Sequence, residues 1–198
     1  LFALTCDYSG PNNAVHIDAA SGDFSVVVRN FSTWNIPTAC FDTTSNTFWA
    51  AVRVADGSER LKLVAYSAEN GKQLRSLPLS RAYKPDNVDG MHFDADGKLL
   101  HLLHTTFNET TSRVEMYTIS VSTETGREEQ RIPMPVGGLT ENLGADAFDS
   151  ENGLLFHLWT DGTTTKQVLS VVDVRTPGAP ARVMQTNLSR YDYLADPV

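Results

Sequence analysis

Residues 87–105 read NVDGMHFDADGKLLHLLHT, and the fold follows from how this string is built. Asn87 to Phe93 is a short apolar-rich run, Asp94 to Gly97 carries the chemistry of a tight turn, and Leu99 to Thr105 is a second apolar run. The string therefore predicts strand, turn, strand. Its opening, Asn followed by Ile, Val or Leu, then four residues and Phe or Tyr, recurs at Asn35 to Phe41, Asn142 to Phe148 and Asn187 to Tyr193. Successive starts lie 52, 55 and 45 residues apart, and 46 residues lead from Asn187 through Val198 and on from Leu1 to Asn35. Intervals of this size mark repeating supersecondary units.

Outward from the turn the units match further. Phe41-Asp42 and Phe148-Asp149, like Phe93-Asp94, enter polar turns containing Asn46, Gly153 and Gly97, and these lead to second runs at Phe48 to Val54, Leu154 to Thr160 and Leu99 to Thr105. Third runs follow at Leu61 to Ser67, Val114 to Ser120 and Gln167 to Val172. Before each short fourth run stands a turn holding Gly71, Gly126 or Gly178, where glycine supplies the positive φ a hairpin needs. Four antiparallel strands per unit of roughly 50 residues describe a propeller blade.

In its Phe-Asp-x-x-x-Gly turn and its later Asp-x-x-(Thr/Ser)-Gly turn, clearest at Ile17-Asp18-Ala19-Ala20-Ser21-Gly22, the chain resembles the β-propeller repeats of the YVTN and quinoprotein-like kind. The resemblance covers nearly the whole chain and implies a fold rather than an activity. The expected class is all-β: a β-propeller of four-stranded antiparallel blades in a single domain, 1–198. Leu1 to Cys6, Ala14 to Asp18 and Phe24 to Val28 read as the second, third and fourth strands of a blade, and Ser189 to Leu194 as its missing first strand. That gives four blades, approximately 187–198 with 1–34, then 35–86, 87–141 and 142–186, one being assembled from both termini. A closed ring leaves no sheet edge free. Two alternatives fit the same pattern: part of a larger ring, and an assembly in which the terminal strand is given to another copy.

The 198 residues are 41% hydrophobic, enough for a substantial core. No run approaches the length of a membrane span, so membrane insertion is not expected. A net charge of −8 argues against nucleic acid as a partner, and the acids are scattered as on a solvated surface. The sequence starts on an apolar strand without Met, the expectation for a processed or trimmed chain. Asn30, Asn108 and Asn187 open glycosylation sequons, with Asn108 the best placed, in the polar loop Thr105 to Ser112. Chance places about two in a chain with 11 Asn and 35 Ser plus Thr, so the three sequons alone do not argue for secretion. The only cysteines, Cys6 and Cys40, fall on neighbouring blades, either as a disulfide or as two buried thiols. Only the disulfide would support a secreted or cell-surface location.

The chemistry scan is mostly negative: no nucleophile elbow, phosphate loop, dinucleotide fingerprint, His-Glu-x-x-His or paired Cys-x-x-Cys. Asp94-Ala95-Asp96-Gly97 lacks the later Glu of a calcium loop. Trp49 and Trp159 read as packing between blades. His101 and His104, three apart in a strand, point to opposite faces, whereas alignment on the turns sets His101 and His157 at the same point of neighbouring second strands. The candidate site is the axial mouth, built from connectors and first strands: Trp34, Tyr83, Asp89, His92, Glu141, Asp146, Arg190, Tyr191 and Asp192. No cofactor is expected, although these carboxylates would supply hard oxygen ligands for calcium. The leading expectation is a non-catalytic extracellular module that binds protein or carbohydrate, or assembles with copies of itself. The alternative is a hydrolase or lactonase-like enzyme using a metal or acid–base site made from residues such as Asp89, His92, Glu141, Asp146 and Asp192.

Overall fold

A computed structural model describes residues 2–5, 12–32, 38–54, 60–79, 88–111, 113–134, 141–160, 166–176 and 178–189. These form fifteen strands and no helix, arranged as four antiparallel sheets in sequence order. The first sheet holds β1 (Phe2–Thr5), β2 (Asn12–Ile17) and β3 (Phe24–Ser32). The second holds β4 (Ala39–Asp42), β5 (Thr47–Arg53), β6 (Leu61–Ser67) and β7 (Gln73–Pro78). The third holds β8 (Val88–Asp94), β9 (Leu99–Asn108), β10 (Arg113–Ser122) and β11 (Glu128–Met134). The fourth holds β12 (Glu141–Asp149), β13 (Leu154–Thr160), β14 (Lys166–Asp173) and β15 (Arg182–Ser189). Each is a meander, strand pairing with next strand, as propeller blades require. The edge strands β4, β8 and β12 pack against one another across sheets, so the first strands line the axis. The segment read as the first strand of the composite blade extends through residues 190–194, outside the described residues.

Among the described residues, the three turns that follow a Phe-Asp pair are each closed by its aspartate. Asp42 Oδ1 accepts the backbone N–H of Thr44, Asp94 Oδ1 that of Asp96, and Asp149 Oδ1 those of Glu151 and Asn152. The turns between third and fourth strands use Asp18, Ser67, Ser122 and Asp173 in the same way. The left-handed residue of these turns sits at Asn46, Lys98 and Gly153, five positions after each Phe, and the glycines expected to have positive φ in the later turns, Gly71, Gly126 and Gly178, have it. A correction concerns Asn108, which ends β9 rather than lying in a loop. Thr105, Thr106 and Phe107 suit a strand, and their ladder with Arg113 to Met116 extends the hairpin.

The core lies between sheets. Trp49, Ala51, Leu63 and Ala65 of the second sheet meet Met91, Leu100, Leu102 and Val121 of the third, all buried. Ala14 and Val28 of the first sheet meet Phe48, Ala50 and Val64 of the second. Leu103, Met116 and Ile132 of the third meet Leu155, Val172 and Val174 of the fourth. Trp159 is buried as well, its Nε1 donating to Ser170 Oγ at 2.8 Å. Between the third and fourth sheets lie both His101 and His157, but not as equivalents. Asp42 faces Thr47, Asp94 faces Leu99 and Asp149 faces Leu154, which puts His101 on the rung of Trp49 and Phe156, one residue out of step with His157. The two histidines reach one interface from opposite sides.

Candidate functional site

His92 in β8 and Asp146 in β12 bring two of the expected site residues together on the axis. His92 Nε2 lies 2.6 Å from Asp146 Oδ2, with 21% and 14% of the two side chains exposed. An ionised carboxylate only accepts, so His92 Nε2–H is the donor and Asp146 Oδ2 the acceptor. Gly90 makes the approach feasible: a Cβ there would stand 2.1 Å from Asp146 Oδ2. The ring of Phe148 lies 6.2 Å from that of His92 and 5.1 Å from that of His101. Beside the pair opens a cavity of about 330 Å³ lined by Cys40, Phe41, Thr43, Thr44, His92, Phe93, Ala95, Phe148 and Ser150. It sits where the first strands run into their turns, at the far end of those strands from the connectors expected to form the mouth.

Sequence reasoning missed most of this wall. Phe41, Phe93 and Phe148 are the aromatic residues of the repeat, and their shared register was the available signal. Of the other expected site residues, Asp89 and Glu141 have their backbones in β8 and β12, with side chains outside the description. Trp34, Tyr83, Arg190, Tyr191 and Asp192 lie outside the described residues altogether. So do Cys6 and the Asn30 and Asn187 side chains. Cys40 carries a free thiol, which burial, with the nearby Asp42 charge adding, holds well above its ordinary pKa. Asn108 is half-buried, its Nδ2 donating to Glu115 Oε1 at 2.7 Å and its Oδ1 accepting from Thr110 and Thr111.

Behind the cavity the chemistry is sealed. His101, with no exposed surface, has Nδ1 2.9 Å from Ser120 Oγ and Nε2 3.7 Å from Asp94 Oδ2. This has the residue types of a Ser-His-Asp set, yet Ser120 is 1% exposed and no substrate can reach it. Desolvation lowers the His101 pKa to about 4 despite the opposing attraction of Asp94, so the ring is neutral at pH 7. Asp94 and Asp96 both face the Arg175 guanidinium, at 3.4 and 3.0 Å, and Arg175 also donates to the Glu151 carbonyl. The Asp94 to Gly97 carboxylates are therefore engaged by an arginine from the next sheet.

No protein-family model matches the chain, and no curated protein matches it in sequence. Solved structures do. It is similar to the structure described as Kuenenia stuttgartiensis hydrazine synthase, with TM-score 0.56 and 11% identity over 93% of this chain and 50% of that one. It is also similar to the Dos1 propeller, with TM-score 0.54 and 9% identity over 96% of this chain and 46% of that one. The fold is that of a β-propeller. At these identities the likeness extends no further. The chain spans about half the length of the solved structures it matches.

Proposed function

We propose that this chain is a non-catalytic propeller module, secreted or displayed at the cell surface, that recognises a glycan or a protein segment at its axial cavity. The observation that carries this reading is the cavity wall: three phenylalanine rings in repeated register, the hydroxyls of Thr43, Thr44 and Ser150, and a His92 imidazole held in place by Asp146. Apolar ring edges beside a few fixed polar groups are the composition of a recognition pocket, and 330 Å³ suits one sugar ring or one to two side chains. The sealed state of His101 and Ser120 supports binding over chemistry.

The test is a panel of glycans and peptides on immobilised protein, repeated with Ser150→Trp. Ser150 is exposed, so the indole fills the cavity without disturbing the core. Saturable binding abolished by Ser150→Trp supports the reading; binding that ignores the substitution sinks it. One observation favours a second reading, hydrolysis of an ester or lactone: His92 Nδ1 is free of the Asp146 contact and suited to take a proton from water. Turnover of aryl esters or lactones that disappears in His92→Gln would replace the first reading with this one.

A further inference from the structure

A second cavity, of about 450 Å³, opens between the second and third sheets beside the axial one. Thr44, Phe93 and Ala95 line both, and Thr44 and Ala95 are exposed, so the two spaces meet over a common sill. The floor of the second cavity is apolar: Trp49 and Ala65 from the second sheet and Phe93 from the third. Its outer wall is β7, where the ladder to β6 skips a residue. Ala65 faces Arg75, Tyr66 faces Gln73, and Leu74 is the extra residue of a bulge. Successive residues of a regular strand point to opposite faces, and a bulge re-aims one of them. Leu74 and Arg75, adjacent in the chain, therefore both line the groove, with Leu74 56% exposed. The same bulge in β11 carries the exposed Glu129, so this position does not itself require an apolar residue.

The charges of the groove decide what fits it. Asp42 is buried, and its carboxylate accepts from the backbone N–H groups of Thr44 and Ser45 and from the Ser45 hydroxyl. Glu124 holds Lys98 at 3.1 Å on the rim. Arg75 donates to the Thr123 carbonyl at 2.8 Å, and among the described residues no carboxylate pairs with it. Arg131 and Arg175, by contrast, each engage acids. A guanidinium carries five N–H donors in a planar fork, so one carbonyl leaves Arg75 room to bind a carboxylate. An uncompensated guanidinium beside an apolar floor suits a ligand with an acidic group next to an apolar one. A peptide supplies both from neighbouring side chains, whereas a sugar ring has no branched or aromatic side chain to fill the space between Trp49, Leu74 and Phe93.

We propose that the ligand is an acidic peptide segment. One side chain enters the axial cavity, the peptide crosses Thr44 and Ala95, an apolar side chain lies against Trp49 and Leu74, and an Asp or Glu meets Arg75. The axial end of this placement rests on the function proposed above; the carboxylate contact at Arg75 does not.

The experiment is a positional-scanning library of hexapeptides, acetylated and amidated so that only side chains carry acid, on the immobilised full chain and on Arg75→Gln and Ser150→Trp. Arg75 is exposed, so Arg75→Gln leaves the core intact, and a thermal melt checks its fold. The proposal predicts that the wild type selects Asp or Glu over Asn or Gln by about tenfold or more, within two positions of an apolar residue. Arg75→Gln should abolish that selection while neutral peptides bind as before, and Ser150→Trp should weaken acidic and neutral peptides alike. No selection for an acid, or a selection that Arg75→Gln leaves in place, would overturn the proposal with the axial reading untouched. An acidic glycan, oligogalacturonate, that binds through Arg75 where no peptide does would overturn it in favour of a sugar ligand. Selection of an acid through Arg75 that ignores Ser150→Trp would keep the groove and sink the axial reading.

Discussion

Replacing Gly71 with alanine tests whether the sheets hold together as blades of one ring. Gly71 turns β6 into β7 at φ 69°, and a Cβ there would lie 1.8 Å from the Val27 carbonyl oxygen of the first sheet and 2.9 Å from its carbon. Two costs add: alanine in left-handed backbone costs about 1–2 kcal/mol, and pushing a methyl group into a neighbouring strand costs about 1–3 kcal/mol more. Gly22 is the control, because it has the same left-handed backbone, φ 77°, with nothing within 4 Å of the added Cβ. Gly71→Ala should therefore destabilise by about 3 kcal/mol and Gly22→Ala by about 1 kcal/mol. Urea unfolding followed by tryptophan fluorescence measures both, since Trp49 and Trp159 are buried between sheets. Equal losses in the two variants would refute the reasoning, because they would mean that the β6–β7 turn does not rest on the preceding sheet.

Three further outcomes are expected. His101 has a folded pKa of about 4 against an ordinary 6.5, so the unfolded chain binds the extra proton and stability falls as pH drops from 6.5 to 4. The loss is about 3 kcal/mol, and His101→Phe, which copies Phe156 on the equivalent rung, should flatten that part of a stability-against-pH curve. Lys98 is held at φ 50° where the fourth sheet uses Gly153, so Lys98→Gly should raise stability by up to about 1 kcal/mol in a thermal melt, despite the loss of its exposed ion pair with Glu124. The Cys40 thiol should be alkylated slowly at pH 8 in native protein and rapidly after unfolding without reductant; mass spectrometry separates this from a Cys6–Cys40 disulfide, which would block the reaction in both states.

The repeat was legible because its chemistry is local. Each Phe-Asp pair closes a turn through its own carboxylate, so the turns at Asp42, Asp94 and Asp149 announce themselves without tertiary information. Burial of Trp49 and Trp159 followed from strand position and size. Period-two alternation, however, says which residues share a face and not which neighbouring sheet that face meets, so the relation of His101 to His157 was misread by one rung. The cavity beside His92 is lined by the repeated phenylalanines and the turn hydroxyls, residues whose pattern reads as core and turn, while most connectors of the expected mouth lie outside the described residues. Gly90 gave no sign of its part, since the room it leaves for Asp146 exists only once β8 and β12 lie side by side.

Recognition at the axial cavity is the central claim, and amide chemical-shift mapping with the best ligand from the binding panel tests it most directly. The account predicts saturable shifts at Cys40, Phe41, Thr43, Thr44, His92, Phe93 and Ser150, absent in Ser150→Trp. Shifts that cluster on the outer strands β7 and β11 while the axial residues stay unmoved would contradict it.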